Sequence, residues 1–327
     1  LGFFETVEVS HKPGSDNTRV IVQVEVKEKA TGTFQVGLGF SNAENFMFTA
    51  QVSQNNFLGW GQTVSASAQV SSLRQFIQAS FHDPHFLDTN FIFSADFFRI
   101  QADYFEFVRD STGGDLNIGY HIGQYLLKGD LFDDVMVNLT YNREYVRLDT
   151  RTAAVYHELG EKQGVISSMR LSLTWDERDN RLFPSKGFML FGSAEAAPNF
   201  LGGTFLFNRY TAYARTYVPL PLGLVFKTNS TFGFIQNLDR QQRLISENYF
   251  VGGINSVRGY LLRTISPTIL VKTSEDPGSL TTELPIGGNK QAVFNLELEF
   301  PIFEKIGIRG VLFYDAGNAF ASEANFF

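Results

Sequence analysis

From residue 33 to 41 the chain alternates strictly. Phe34, Val36, Leu38 and Phe40 fall on one parity and Thr33, Gln35, Gly37, Gly39 and Ser41 on the other. A period of two sends successive side chains to opposite faces, which predicts a β-strand. The pattern returns with Phe46, Phe48, Ala50 and Val52 against Thr49, Gln51 and Ser53. It returns again with Val64, Ala66, Ala68 and Val70 against Ser65, Ser67 and Gln69. Further copies fall at 91–97, 135–141, 169–175, 188–196, 224–234, 292–300 and 306–316, giving about thirteen strand candidates with weaker ones included. Between the second and third strands, Asn55-Asn56-Phe57-Leu58-Gly59-Trp60-Gly61 marks a short turn.

The faces opposite the apolar ones carry Ser, Thr, Gln, Asn and Gly rather than the charges of a water-exposed sandwich face. An apolar wall around a watery lumen fits that pattern, so the predicted fold is all-β, an antiparallel transmembrane barrel. Closure follows because an open sheet edge in hydrocarbon leaves backbone N–H and C=O groups unpaired. Residues 1–30 read differently. Val20-Ile21-Val22-Gln23-Val24-Glu25-Val26, followed by Lys27-Glu28-Lys29, predicts a charged-edged strand of a separate soluble module, with the barrel occupying 31–327.

Composition narrows the class. Thirty-four Phe among 327 residues, at a mean hydropathy of -0.08, need an apolar surrounding outside the chain to meet the rings. No run approaches the roughly 18 apolar residues of a membrane helix. The absence of cysteine excludes thiol nucleophiles and cysteine-based metal sites, and a net charge of -7 argues against nucleic acid as a partner. No basic and apolar leader precedes Leu1-Gly2-Phe3-Phe4, so the true N-terminus is expected upstream.

Few residues invite chemistry. His82-Asp83-Pro84-His85 offers two imidazoles and a carboxylate without an evident third metal ligand, and reads as a strand-end turn. Glu297 and Glu299 resemble a glycosidase acid/base pair only in type; as alternate residues on one strand face they read as lumen lining. Gly252-Gly253-Ile254-Asn255-Ser256-Val257-Arg258-Gly259-Tyr260 lies in the longest stretch without alternation, about 237 to 288, and in isolation it reads as an exposed loop.

In context, Val257-Arg258-Gly259-Tyr260 after a double glycine resembles the signature of the inward-folded loop in the BamA superfamily, which also takes in two-partner secretion translocators and organellar relatives. The segments 292–301 and 312–318 resemble the strands that follow that loop, and 174–187 resembles the family's mid-barrel turn, to which no chemistry is assigned. Leu1-Gly2-Phe3-Phe4-Glu5-Thr6-Val7-Glu8-Val9 resembles the last periplasmic POTRA module, which favours an assembly factor over a simple pore. Period two places Ala292, Phe294, Leu296, Leu298 and Phe300 on one face and Glu297 and Glu299 on the other. It likewise groups Ile306, Ile308, Leu312 and Tyr314 outside, with Arg309, Val311, Phe313 and Asp315 inside. The resemblance implies that Arg258 reaches into the lumen and pairs with Glu299 and Asp315, a task suited to its planar fork.

The resemblance further implies sixteen strands in the complete barrel, so that the last three or so lie beyond this chain; Phe327 is then not a terminal targeting aromatic. It implies a bacterial outer-membrane location with the N-terminal side in the periplasm, and no cofactor, metal or enzymatic step. The implied activity is insertion of outer-membrane proteins. The expected partners are unfolded outer-membrane proteins, accessory lipoprotein subunits and lipid. The template is the first strand, Thr33, Phe34, Gln35, Val36, Gly37, Leu38, Gly39 and Phe40, whose glycines weaken its packing beside a lateral seam. The alternatives are a two-partner secretion translocator and the barrel anchor of a surface phospholipase. The latter would carry a Gly-x-Ser-x-Gly nucleophile elbow, which this chain does not contain.

Overall fold

The computed structural model describes residues 3–13, 20–41, 44–104, 107–123, 134–150, 163–239, 245–272, 281–303 and 306–321. Strands β1 (Phe4–Pro13) and β2 (Val20–Glu28) form a hairpin of their own. The alternating segments become β3 (Gly32–Ser41), β4 (Asn45–Phe57), β5 (Gln62–Val70), β6 (Arg74–Asp83), β7 (Phe91–Asp103), β8 (Phe107–His121), β9 (Val135–Thr150) and β10 (Gln163–Asp176). They continue as β11 (Gly187–Ala197), β12 (Phe207–Pro219) and β13 (Val225–Asn237). A small hairpin, β14 (Thr268–Lys272) and β15 (Thr281–Pro285), precedes β16 (Lys290–Phe303) and β17 (Ile308–Phe320).

Strands β3 to β13, then β16 and β17, make one antiparallel sheet of 13 strands in chain order, with β14 and β15 set aside in the loop between β13 and β16. Within this sheet each strand pairs with its sequence neighbours, as an up-and-down barrel wall requires, and β3 and β17 are its two edges. The register matches parities. Phe34 faces Val52, Leu38 faces Phe48 and Phe40 faces Phe46, so the apolar residues of neighbouring strands share a face. That face is bare: Leu38 is 84% exposed and Phe34 74%, and Ile77, Phe97, Leu171, Leu296 and Leu312 continue it around the wall. Large apolar side chains left uncovered over so wide a surface fit lipid as the outer solvent.

The opposite face is polar and internally bonded. Gln78 Nε2 and Ser80 Oγ donate to Asp96 Oδ1 at 2.7 and 2.5 Å, Asn142 Nδ2 donates to Asp115 at 2.6 Å, and Asn229 donates to Asn295 at 2.9 Å. Strand lengths are uneven. Strands β5 and β6 have 9 and 10 residues, close to the membrane-crossing minimum, whereas β8 and β9 have 15 and 16. The periodic segments 91–97 and 135–141 prolong into β7 and β9, of 13 and 16 residues, which run well past the alternating stretch. At that end the inward residues Phe107, Val146, Leu148, Ile166, Phe205, Phe207 and Ile235 form a buried cluster under the β14–β15 hairpin, through Val271 and Leu284. Strand β17 starts at Ile308, so Ile306 belongs to the preceding turn and not to the strand.

Candidate functional site: an inward-folded loop latched to the wall

The described residues of the connection between β13 and β16, 245–272 and 281–289, fold over and into the polar side of the sheet. Antiparallel bridges Tyr249 to Gly288 and Val251 to Ile265 shape its stem. Tyr249 lies against Gly233 of β13, where a Cβ would come within 2.5 Å of its ring. Gly252 and Gly253 adopt φ of 110° and 99°, values that side chains resist, and so turn the chain sharply. The Gly253 N–H donates to Val257 O at 3.1 Å and the Gly252 N–H to Ser256 Oγ at 2.9 Å, closing a compact turn just before the arginine. Val251 and Val257 are buried against Val293 of β16 and Ala319 of β17, which fixes the height at which Arg258 enters.

Arg258 is the centre of the site. Its Nε and Nη2 donate to the two oxygens of Asp315, both at 2.7 Å, and its own backbone N–H adds a third bond to Asp315 at 2.9 Å. Nη1 donates to Glu297 at 2.6 Å, and the guanidinium lies 3.8 Å over the Phe313 ring. Asn295 completes the pocket, donating to Asp315 at 2.8 Å and to the Ser256 carbonyl at 2.6 Å. The Asp315 side chain is only 2% exposed. Bonding to Asp315, and then to Glu297, holds the Arg258 guanidinium above its ordinary range, so it is a permanent cation.

The expected pairing of Arg258 with Glu299 is corrected. Glu299 accepts from Lys227 at 2.5 Å and from Arg309, and Glu297 stands in its place beside Arg258. The register explains this. Glu297 is directly opposite Phe313, the ring beneath the guanidinium, while Glu299 is two residues, roughly 7 Å, further along the strand. Of the other motif residues, Val257 is buried and Tyr260 is 61% exposed. Of the residues expected to template a client, Phe34, Val36, Leu38 and Phe40 lie on the outer face of β3.

A second latch was not legible in the sequence. Glu247, in the 3-10 turn Ile245–Glu247, accepts from Arg209 of β12 at 2.6 Å and from Arg109 of β8 at 3.1 Å. Arg109 also bonds Glu144 of β9 at 3.1 Å, and Arg209 lies 3.5 Å from Glu195 of β11, itself bonded by Ser168 of β10 at 2.7 Å. Burial pushes the Glu247 carboxyl up, but the charges of Arg209 and Arg109 outweigh it and leave the group below the usual carboxylate range. A third contact is aromatic: the Arg263 guanidinium lies 3.5 Å over Phe250 and 4.3 Å over Tyr104. The loop thus ties β16 and β17 to the wall formed by β8 to β12.

The remaining candidates serve turns. His82 bonds Ser94 at 3.0 Å, while Asp83 accepts from Gln62 at 2.8 Å and from the His85 N–H at 3.0 Å. In the β10–β11 connection, Arg178 grips Asp176 at 2.7 and 2.8 Å, and Asp179 accepts from the Ser185 and Lys186 backbone at 2.9 and 3.1 Å. The Ser185 hydroxyl and these two N–H groups hold the Asp179 carboxyl well below its ordinary value.

An apolar-walled antiparallel sheet with a polar interior, entered by a loop whose arginine grips carboxylates on the two strands that follow it, defines a membrane β-barrel with an arginine-latched loop. The Omp85 superfamily domain matches residues 56–326, and the chain belongs to that superfamily. It is 27% identical over 335 residues to the outer membrane protein assembly factor BamA of Nitratidesulfovibrio vulgaris, covering 99% of this chain and 39% of the relative. The crystal structure of BamA from Haemophilus ducreyi lacking POTRA domains 1-3 superposes with a TM-score of 0.85 at 20% identity, over 98% of this chain and 64% of that one. CdiB from Escherichia coli superposes less well, with a TM-score of 0.54 at 15% identity, over 98% and 58%. The chain thus spans about two fifths of the length of its BamA relative.

Proposed function

We propose that residues 31–327 belong to the barrel of an outer-membrane protein assembly factor, and that it inserts unfolded outer-membrane proteins by offering β3 as a pairing template. The observation that carries the reading is the position of β3. It is the first strand of the wall in chain order, with Phe34, Val36, Leu38 and Phe40 on its lipid-facing side and one row of backbone groups turned away from β4. A client strand adding there gains main-chain hydrogen bonds while its own apolar face enters lipid, so strand exchange and burial supply the free energy without hydrolysis or a cofactor. The 27% identity to the assembly factor BamA of Nitratidesulfovibrio vulgaris, over 99% of this chain, favours assembly over polypeptide export.

Finer features belong to the same reading. Residues 1–30 form the end of a POTRA module, since the β1–β2 hairpin carries Val7, Val9, Val20, Val22, Val24 and Val26 on one uncovered face that needs a partner layer. That hairpin lies on the periplasmic side, and the latched loop on the cell-surface side. The partners are client barrels, lipid and accessory lipoprotein subunits. Reconstitution of the full-length protein in liposomes tests the function. The reading expects a denatured client to become protease-protected faster than in empty liposomes; an unchanged rate together with polypeptide conductance would support export instead.

A further inference from the structure

Three turns at the end of the sheet opposite the latched loop carry leucine where turns normally place glycine, asparagine or aspartate. Leu58, Leu87 and Leu222 have φ of 53°, 54° and 65°, in the left-handed region that a branched aliphatic side chain disfavours. Each is also thrust outward, at 78%, 77% and 89% exposure. A strained backbone that displays an apolar side chain to water is unfavourable twice over. Such an outlier points to a surrounding that receives the side chain.

The neighbourhood of the first two identifies that surrounding. Trp60 and Leu87, from the adjacent β4–β5 and β6–β7 turns, border one open depression of about 590 Å³ with Phe81 and Phe86. Phe81 shares the outward parity of Ile77 on β6, and Phe86 stacks at 4.8 Å on Phe93 of β7, so the floor of the depression continues the lipid-facing wall. The rest of its lining is polar, with Gln62, Asp83, His85, Asp88, Thr89 and Asn90. The β4–β5 turn, residues 58–61, holds no charged side chain. Strands β5 and β6, with 9 and 10 residues, are just long enough to cross hydrocarbon, so these turns sit at the boundary of acyl chains and headgroups. Tryptophan favours that layer, where its ring meets chains and its N–H meets water.

We propose that this rim is a phospholipid-binding anchor, in which Leu58, Trp60 and Leu87 are immersed in the headgroup boundary and a lipid chain packs on Phe81 and Phe86 with its headgroup at the polar lining. The anchor sets the height of β4 to β7 in the membrane. It rests on the reading that the strands span a bilayer, which the test checks separately.

The full-length protein, with every tryptophan except Trp60 replaced by phenylalanine, is reconstituted in phosphatidylcholine vesicles brominated either near the headgroup or near the chain ends. A parallel variant carries Leu171→Trp, on the outer face of β10, as its only tryptophan. The expected result is strong loss of Trp60 emission with headgroup-proximal bromines, weak loss with chain-end bromines and protection from aqueous iodide. The Leu171→Trp probe is then quenched from within the chains. Quenching of Trp60 by iodide but not by bromolipid, with the β10 probe still in lipid, overturns the anchor alone. Iodide quenching that is relieved only by adding a denatured client makes the rim a client surface and also overturns it. Failure of both probes to reach lipid overturns the bilayer reading and the anchor with it. In a second variant, Leu58→Asp with Leu87→Asp, the anchor expects Trp60 to move into iodide reach while the β10 probe stays quenched; an unmoved Trp60 contradicts it.

Discussion

At the scale of single residues, the site turns on one guanidinium. Removing it by Arg258→Ala strands Asp315, a nearly enclosed carboxylate, and is expected to lower barrel stability by roughly 3 to 5 kcal/mol, measured by denaturant unfolding in detergent. Arg258→Lys recovers only part of this, because an ammonium cannot span both oxygens of Asp315 while also reaching Glu297. A double-mutant cycle separates the partners. Arg258→Ala couples to Asp315→Asn and to Glu297→Gln, but adds to Glu299→Gln within about 0.5 kcal/mol. Strong coupling to Glu299 would contradict the geometry. The sequence carried the arginine and the aspartate through the family signature, and period two put Glu297 and Glu299 on one inner face. It could not choose between them, because the choice depends on cross-strand register: Phe313 faces Glu297, and Lys227 and Arg309 take Glu299.

At the scale of elements, the loop between β13 and β16 is a strap fixed by two ion-pair latches and by the Arg263 contact with Tyr104. Its second fixing point, Glu247, was invisible in the sequence because it has no motif and its partners Arg109 and Arg209 lie 138 and 38 residues away. Glu247→Gln is expected to leave strand content unchanged while speeding proteolytic cleavage and hydrogen exchange within 238–289. The pH dependence has a definite sign. A carboxylate held below its unfolded value of about 4.3 stabilises the fold above that pH and loses the contribution as pH falls through its folded value. The difference in loop exchange between wild type and Glu247→Gln should therefore be full at neutral pH, begin to shrink below about pH 4 and vanish as pH falls through the folded value. A difference that persists in acid would mean that charge is not what holds the strap. The strands were legible wherever one face meets lipid and the other the lumen, as in β3 to β5. Legibility failed at the loop end of β8 and β9, where inward positions such as Phe107, Val146 and Leu148 turn apolar under the hairpin and break the alternation.

At the scale of the whole molecule, the sheet presents an apolar exterior, a polar interior strapped by a loop, and an edge at β3. The strap joins β16 and β17 to β8 through β12 and stiffens that part of the wall. The direct test is a photo-crosslinking scan in the full-length protein during assembly of a stalled client. The crosslinker is placed in turn at Phe34, Val36, Leu38 and Phe40 of β3 and at Leu139 and Leu171 of the far wall. The expected result is client adducts along β3, with successive β3 positions trapping successive client residues in antiparallel or parallel register, and none at Leu139 or Leu171. Adducts spread equally over both walls, or confined to lumen-facing positions such as Asn117 and Thr140, would contradict templating at β3.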